Sequence, residues 1–105
     1  MSSIGGIPLS DVLLASGALF SIGVAGALLR KNAISIFLSI ELMMNAVNLL
    51  FLTYARMRGD LAGQMIVFFV IAVAAAEAAV GLAIFVALFR NHRTVDVDKI
   101  ALLKW

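Results

Sequence analysis

MIVFFVIAVAAAEAAVGLAIFVALF, residues 65–89, is an unbroken apolar run interrupted by a single charged side chain, Glu77. A helix rises about 1.5 Å per residue, so about 20 residues cross a hydrocarbon core about 30 Å thick. This run is long enough to cross, and its reading decides the fold. A carboxylate at the middle of such a span opposes insertion by about 2.5 to 3.5 kcal/mol. Glu77 therefore calls for a chemical reason, and so does Glu41, set deep inside a second apolar run.

Working outward, two further spans are predicted at 11–29 and 33–55, giving three with 65–89. The chain of 105 residues is 64% hydrophobic, with a mean hydropathy of +1.12, too apolar to cover a water-soluble core of this size. The predicted fold is an all-α integral membrane protein with three transmembrane helices, read as one membrane domain over 1–105 with a basic tail at 90–105. Residues 1–10 carry no Lys or Arg, so no cleaved signal peptide is expected. Ser10 and Asp11, just after the only proline, Pro8, suit the N-cap and first turn of the first helix.

The basic residues set the topology. Arg30, Lys31, Arg90, Arg93, Lys99 and Lys104 fall on one side, and Arg56 and Arg58 on the other. The positive-inside rule then places the amino terminus outside and the carboxy terminus inside. Because the basic residues are dispersed, the net charge of +2 does not indicate a nucleic-acid surface. The short first connection makes spans one and two an antiparallel pair. In the second connection, Gly59, Asp60 and Gly63 are expected to break the helical pattern. No cysteine is present, which removes thiolate metal sites, iron–sulfur ligation and disulfides.

Small residues predict the packing. Gly17, Ser21 and Ala25 recur at four-residue spacing on one face of span one, a pattern that lets helices approach closely. Around Glu77 the alanines and Gly81 leave room for a partner helix or water. In span two, Asn45 and Asn48 stand four and seven residues after Glu41, within about 60° of arc at 100° per residue. Asparagines commonly serve as hydrogen-bonding glue between membrane helices. An ionised carboxylate only accepts hydrogen bonds and is poor glue, so Glu41 points to chemistry.

That chemistry is proton movement. Desolvation disfavours a charged carboxyl and a nearby cation favours it, so a small change of surroundings loads or releases a proton. Counting helical rise, Glu41 is about 12 Å from the inner end of its span and Glu77 about 18 Å from the inner end of its own. Neighbouring helices about 8 to 10 Å apart would bring the two within reach of a short chain of waters or polar groups. Apart from Asp11 and Tyr54 at the span boundaries, no other titratable residue lies within the spans to complete a path.

Two segments, IELMMNAVNL at 40–49 and AAAEAAVGLAI at 74–84, closely resemble the signature segments of the NuoK family, the three-helix K subunits of respiratory complex I known as 4L in mitochondria. Arg30 and Lys31 followed by Asn32, Gly63 and Gln64 before the third span, and Arg90 after it also agree, so the resemblance covers about residues 12–93. It departs at Lys31, where arginine is common, at Met44, where leucine is common, and in a longer start. The resemblance implies a non-redox membrane-arm subunit of a proton-translocating NADH:quinone oxidoreductase, in the bacterial plasma (inner) membrane. Glu41 and Glu77 match the family's intramembrane proton-relay carboxylates, and Arg30 and Lys31 its inner-side basic loop. The expected partners are the small J- and A-type subunits, the antiporter-like N-type subunit and the lipid bilayer, with no nucleic acid. FMN, iron–sulfur clusters, NADH and quinone are expected on other chains, with no cofactor or metal in this one.

Two other functional classes fit parts of this pattern. A three-helix subunit of a multisubunit cation/proton antiporter would work without NADH or quinone. A small drug/proton exporter also uses a membrane glutamate, but in a four-span chain and in its first span. His92, Met43, Met44, Met57 and Met65 have ordinary readings as solvated, gap-filling or boundary residues. Gly23 and Gly26 lie inside an apolar helix and form no phosphate loop. Tyr54 and Trp105 suit a membrane interface.

Overall fold

The computed structural model describes residues 3–92 and 96–98. Three helices dominate it: α1 (Leu9–Leu29), α2 (Ala33–Met57) and α3 (Leu61–His92). All three are long and apolar enough to cross a membrane. They form an elongated body of 56 × 25 × 19 Å. The central helix is α2: α1 packs along it extensively and α3 packs on it less closely. Before α1, a two-residue hairpin pairs β1 (Ser3–Ile4) with β2 (Ile7–Pro8) around Gly5 and Gly6.

The helix ends differ from the predicted ones for local reasons. Ser10 does not cap α1. The helix begins at Leu9 behind an extended Pro8 that offers no side-chain cap, and Asp11 stands in its first turn. α2 starts at Ala33 because Asn32 caps it, its Oδ1 accepting from the amides of Ile34 (2.9 Å) and Ser35 (3.2 Å). Its other end runs two residues past the predicted 55. There Gly59, at φ +66°, closes the helix: its amide donates to Arg56 O at 3.1 Å and that of Asp60 to Ala55 O at 2.8 Å. This is a Schellman cap, whose left-handed position favours glycine. Asp60 then caps α3 by accepting from Gly63 N at 3.0 Å. α3 thus begins four residues before the predicted 65 and includes Gly63 instead of breaking there.

Asn32→Ala is expected to destabilise the chain by about 1 kcal/mol, since two amides at the start of α2 lose their acceptor. Thermal unfolding of the purified chain in detergent micelles, followed by circular dichroism, reads this. An unchanged midpoint would mean that the cap contributes nothing.

The tight face of α1 is not the one that small-residue spacing suggested. Gly17, Ser21 and Ala25 are exposed, and a side chain added at Gly17 would meet nothing in the chain. Val12, Ser16 and Gly23 are buried instead. A Cβ at Gly23 would stand 2.7 Å from the Ser39 carbonyl oxygen, and one at Gly26 would collide with Ser39 Oγ. The backbone of α1 therefore comes against α2 at these two glycines. Three hydroxyls within the spans turn back on their own helices, Ser21 Oγ donating to Gly17 O, Ser39 Oγ to Ser35 O and Thr53 Oγ1 to Leu49 O at 2.7 to 2.8 Å, whereas the buried Ser16 Oγ has no partner among the described residues. Such bonds satisfy a hydroxyl where lipid cannot.

Candidate functional site

Two contacts define how α3 lies on α2. Near one end of the pair, a Cβ at Gly81 would stand 3.1 Å from the Phe37 ring, which also meets Phe85 edge-on at 5.6 Å. Near the other, a Cβ at Gly63 would stand 3.0 Å from the Ala55 Cβ. Small residues on α3 thus receive α2 at both ends of the seam.

The glutamates fall at one height in this register. Glu41 stands four residues after Phe37, and Glu77 four residues before Gly81. From the other contact the offsets also match, Glu41 fourteen residues before Ala55 and Glu77 fourteen after Gly63. In an antiparallel pair, equal and opposite offsets mean equal depth, here about 6 Å from the Phe37–Gly81 contact.

Depth is shared, but direction is not. Four residues rotate a helix by about 40° beyond a full turn. Applied forward along α2 and backward along antiparallel α3, that rotation turns the two carboxyls to opposite edges of the seam. Glu41 is half-buried and Glu77 exposed on the surface of this chain. Glu77 lines a shallow groove of about 370 Å³ with Ala76, Val80, Gly81 and Ile84. Between the two edges the seam is thin, with Ala74 buried and Ala78 half-buried. Neither glutamate has a hydrogen-bond or ion-pair partner among the described residues.

The asparagines divide. Asn45 is exposed beside Glu41, whereas Asn48 is half-buried and its Nδ2 is buried with no hydrogen-bond partner among the described residues. A buried amide donor left unpaired costs about 1 to 3 kcal/mol.

Arg30 and Lys31 lie in the α1–α2 connection, far along the helices from the carboxyls. Arg30 ends α1, its amide donating to Gly26 O at 3.2 Å. Lys31 is held by a returning segment: Val97 N donates to Lys31 O at 3.0 Å, and Lys31 Nζ lies 3.5 Å from Asp98. The side chains are 73% and 68% exposed, so the ion pair contributes little and the backbone bond does most of the holding. This return was not foreseen, although Asp96 and Asp98 form an acidic pair suited to the basic loop. Arg93, Lys99, Lys104 and Trp105 lie outside the described residues, as does the His92 side chain.

Among the described residues no three His, Cys, Asp or Glu side chains gather closely enough to hold a metal ion. With no cysteine in the sequence, the donor set does not fit an iron–sulfur cluster. What remains chemically is a pair of unpaired carboxyls on packed helices, with two amides on the same side of α2 as Glu41.

Comparison with known proteins gives a consistent result. The family model for NADH-ubiquinone/plastoquinone oxidoreductase chain 4L matches residues 11–105. A relative from Leptospira biflexa, NADH-quinone oxidoreductase subunit K, is 50% identical over 102 residues, covering 97% of this chain and 96% of its own. Subunit K from Roseiflexus castenholzii is 53% identical over 98 residues, covering 93% and 98%. Subunit K 1 from Geotalea daltonii is 50% identical over 99 residues, covering 94% and 99%.

Proposed function

Since this chain belongs to the NADH-ubiquinone/plastoquinone oxidoreductase chain 4L family, as a multi-pass membrane subunit of the oxidoreductase, we propose that Glu41 and Glu77 pass protons through it. The chain, acting as one membrane unit over 1–105, performs no redox step itself. FMN and the iron–sulfur clusters, with NADH and quinone, sit on other subunits and supply the electron transfer that drives the movement. The observation that carries this reading is the register: two unpaired carboxyls at one depth, on opposite edges of a seam of small residues.

That arrangement suits a relay in series. A carboxyl on one edge takes a proton from the neighbour it faces and becomes neutral. Release across the thin seam passes the proton, through water or a polar side chain, to the carboxyl on the other edge. Asn45 and Asn48 support the Glu41 edge by donating amide N–H groups to water or to the charged form. Driving force reaches the pair from subunits pressed against its two edges, for which the J-, A- and N-type membrane subunits are the candidates. The basic loop Arg30–Lys31 holds the inner face, placing the amino terminus outside and the tail inside a bacterial plasma membrane.

Purification of the intact assembly from native membranes tests the reading. The chain is expected to come with the flavin and iron–sulfur subunits and with NADH-dependent quinone reduction. Vesicles carrying the assembly are expected to acidify when NADH is added. Co-purification with antiporter-like chains alone, with no NADH oxidation, would replace this reading by a cation/proton antiporter.

A further inference from the structure

On the side of α2 turned away from Asn45, Met44, Val47, Phe51, Tyr54 and Arg58 follow one another at three- and four-residue intervals and make one stripe. Two grooves lie along it. The larger, about 310 Å³, lies between Phe20 of α1 and Val70 of α3 and is lined on α2 by Met44, Val47 and Asn48. The other, about 180 Å³, opens at the α2–α3 turn and is lined by Phe51, Tyr54, Arg58 and Asp60. Val47 of the first and Phe51 of the second stand one turn apart on the stripe.

The dimensions and charges suit one kind of molecule. From Tyr54 to Met44 is ten residues, about 15 Å of helix and half of a hydrocarbon core about 30 Å thick. The channel is thus about one leaflet deep. Its shallow end offers a guanidinium, a carboxylate and a phenol. Arg58 and Asp60 form no ion pair with each other, and among the described residues the Asp60 side chain bonds only through Oδ1, which caps Gly63. Unpaired charges of both signs above an apolar channel complement a headgroup that carries both signs.

We infer that this stripe binds one phospholipid from the leaflet at the α2–α3 turn, of the phosphatidylethanolamine class. Arg58 donates to the phosphodiester, a planar match for its fork of N–H groups. The free oxygen of Asp60 receives the ammonium, and an acyl chain lies over Phe51, Val47 and Met44. A purely anionic lipid would meet the same Asp60 with repulsion. This site does not depend on Glu41 or Glu77 moving protons.

The test uses the assembled oxidoreductase in its native membrane. A photoreactive p-benzoyl-phenylalanine placed at Val47 is expected to yield a phosphatidylethanolamine adduct of this chain by mass spectrometry. An adduct to another subunit would make the stripe a protein interface and overturn the inference. An adduct mainly to phosphatidylglycerol or cardiolipin would overturn the headgroup assignment. Independently, lipid counts on the purified complex should fall by about one phosphatidylethanolamine per complex in Arg58→Gln and in Asp60→Asn, and stay unchanged in Arg56→Gln. Washing with inorganic phosphate should not release the lipid, because the acyl chain holds it. A full lipid count in Arg58→Gln would overturn the inference, whatever the cross-link shows.

Discussion

Changing Glu41 and Glu77 together to glutamine is expected to lower NADH-driven proton pumping by about tenfold or more, with the complex still assembled. Glutamine keeps the shape of glutamate and removes only the exchangeable acid proton. The tenfold figure is a floor, since a positioned proton-transfer group typically contributes about 100-fold or more. The geometry also predicts how the single substitutions combine. Two carboxyls on opposite edges of one seam act in series, so either substitution alone should cost about as much as both. Groups that act as a unit show this failure of additivity. Pumping stoichiometry in vesicles measures the effect, and native gels check assembly. Normal pumping in an assembled double variant would sink the relay. Single variants that each keep about half of the pumping, with the loss complete only in the double variant, would point instead to two parallel routes.

The second large effect is expected at Gly23. In Gly23→Val the new Cβ would stand 2.7 Å from the Ser39 carbonyl oxygen and 2.5 Å from Met43 Cγ. The methionine side chain can swing aside, but the Ser39 backbone cannot move without parting α1 from α2. Overpacking of this kind costs about 1 to 3 kcal/mol, and the isolated chain is expected to lose its thermal transition or melt well below the wild type. Gly17→Val is the control, because nothing in this chain meets a Cβ there. Equal melting of Gly23→Val and the wild type in detergent would show that the α1–α2 contact is looser than described.

The contrast between these two glycines shows where sequence reasoning succeeded and where it ran out. Three spans were legible because hydropathy and length suffice for a helix that must satisfy its backbone in lipid. Which face of a span meets its own chain was not legible. In a soluble protein the polar face points outward, but here every face of α1 is apolar or small. Spacing drew attention to Gly17, Ser21 and Ala25, while the close contact falls at Gly23 and Gly26. The start of α2 fell where it was expected, but that of α3 was missed. Hydropathy marks where a span enters lipid, whereas Asp60 marks where a backbone amide finds an acceptor. Glu41 and Glu77 were recognisable as unusual from position alone, and antiparallel counting put them at similar depth. Their equal height required Phe37–Gly81 and Ala55–Gly63, and the opposite edges required the direction of that seam.

The two seam contacts have a mechanical consequence. Phe37 and Ala55 are eighteen residues apart, as are Gly63 and Gly81, which is about five whole turns on each helix. Sliding α3 by one residue along α2 would carry Val80 or Leu82 toward the place of Gly81 and Ala62 or Gln64 toward that of Gly63. A one-residue screw would bring these side chains to places where even a Cβ stands 3.0 to 3.1 Å from α2. Both contacts thus favour the present register, and the pair behaves as a keyed strut. On the proposed relay, switching of proton access would come from what presses on its two flanks.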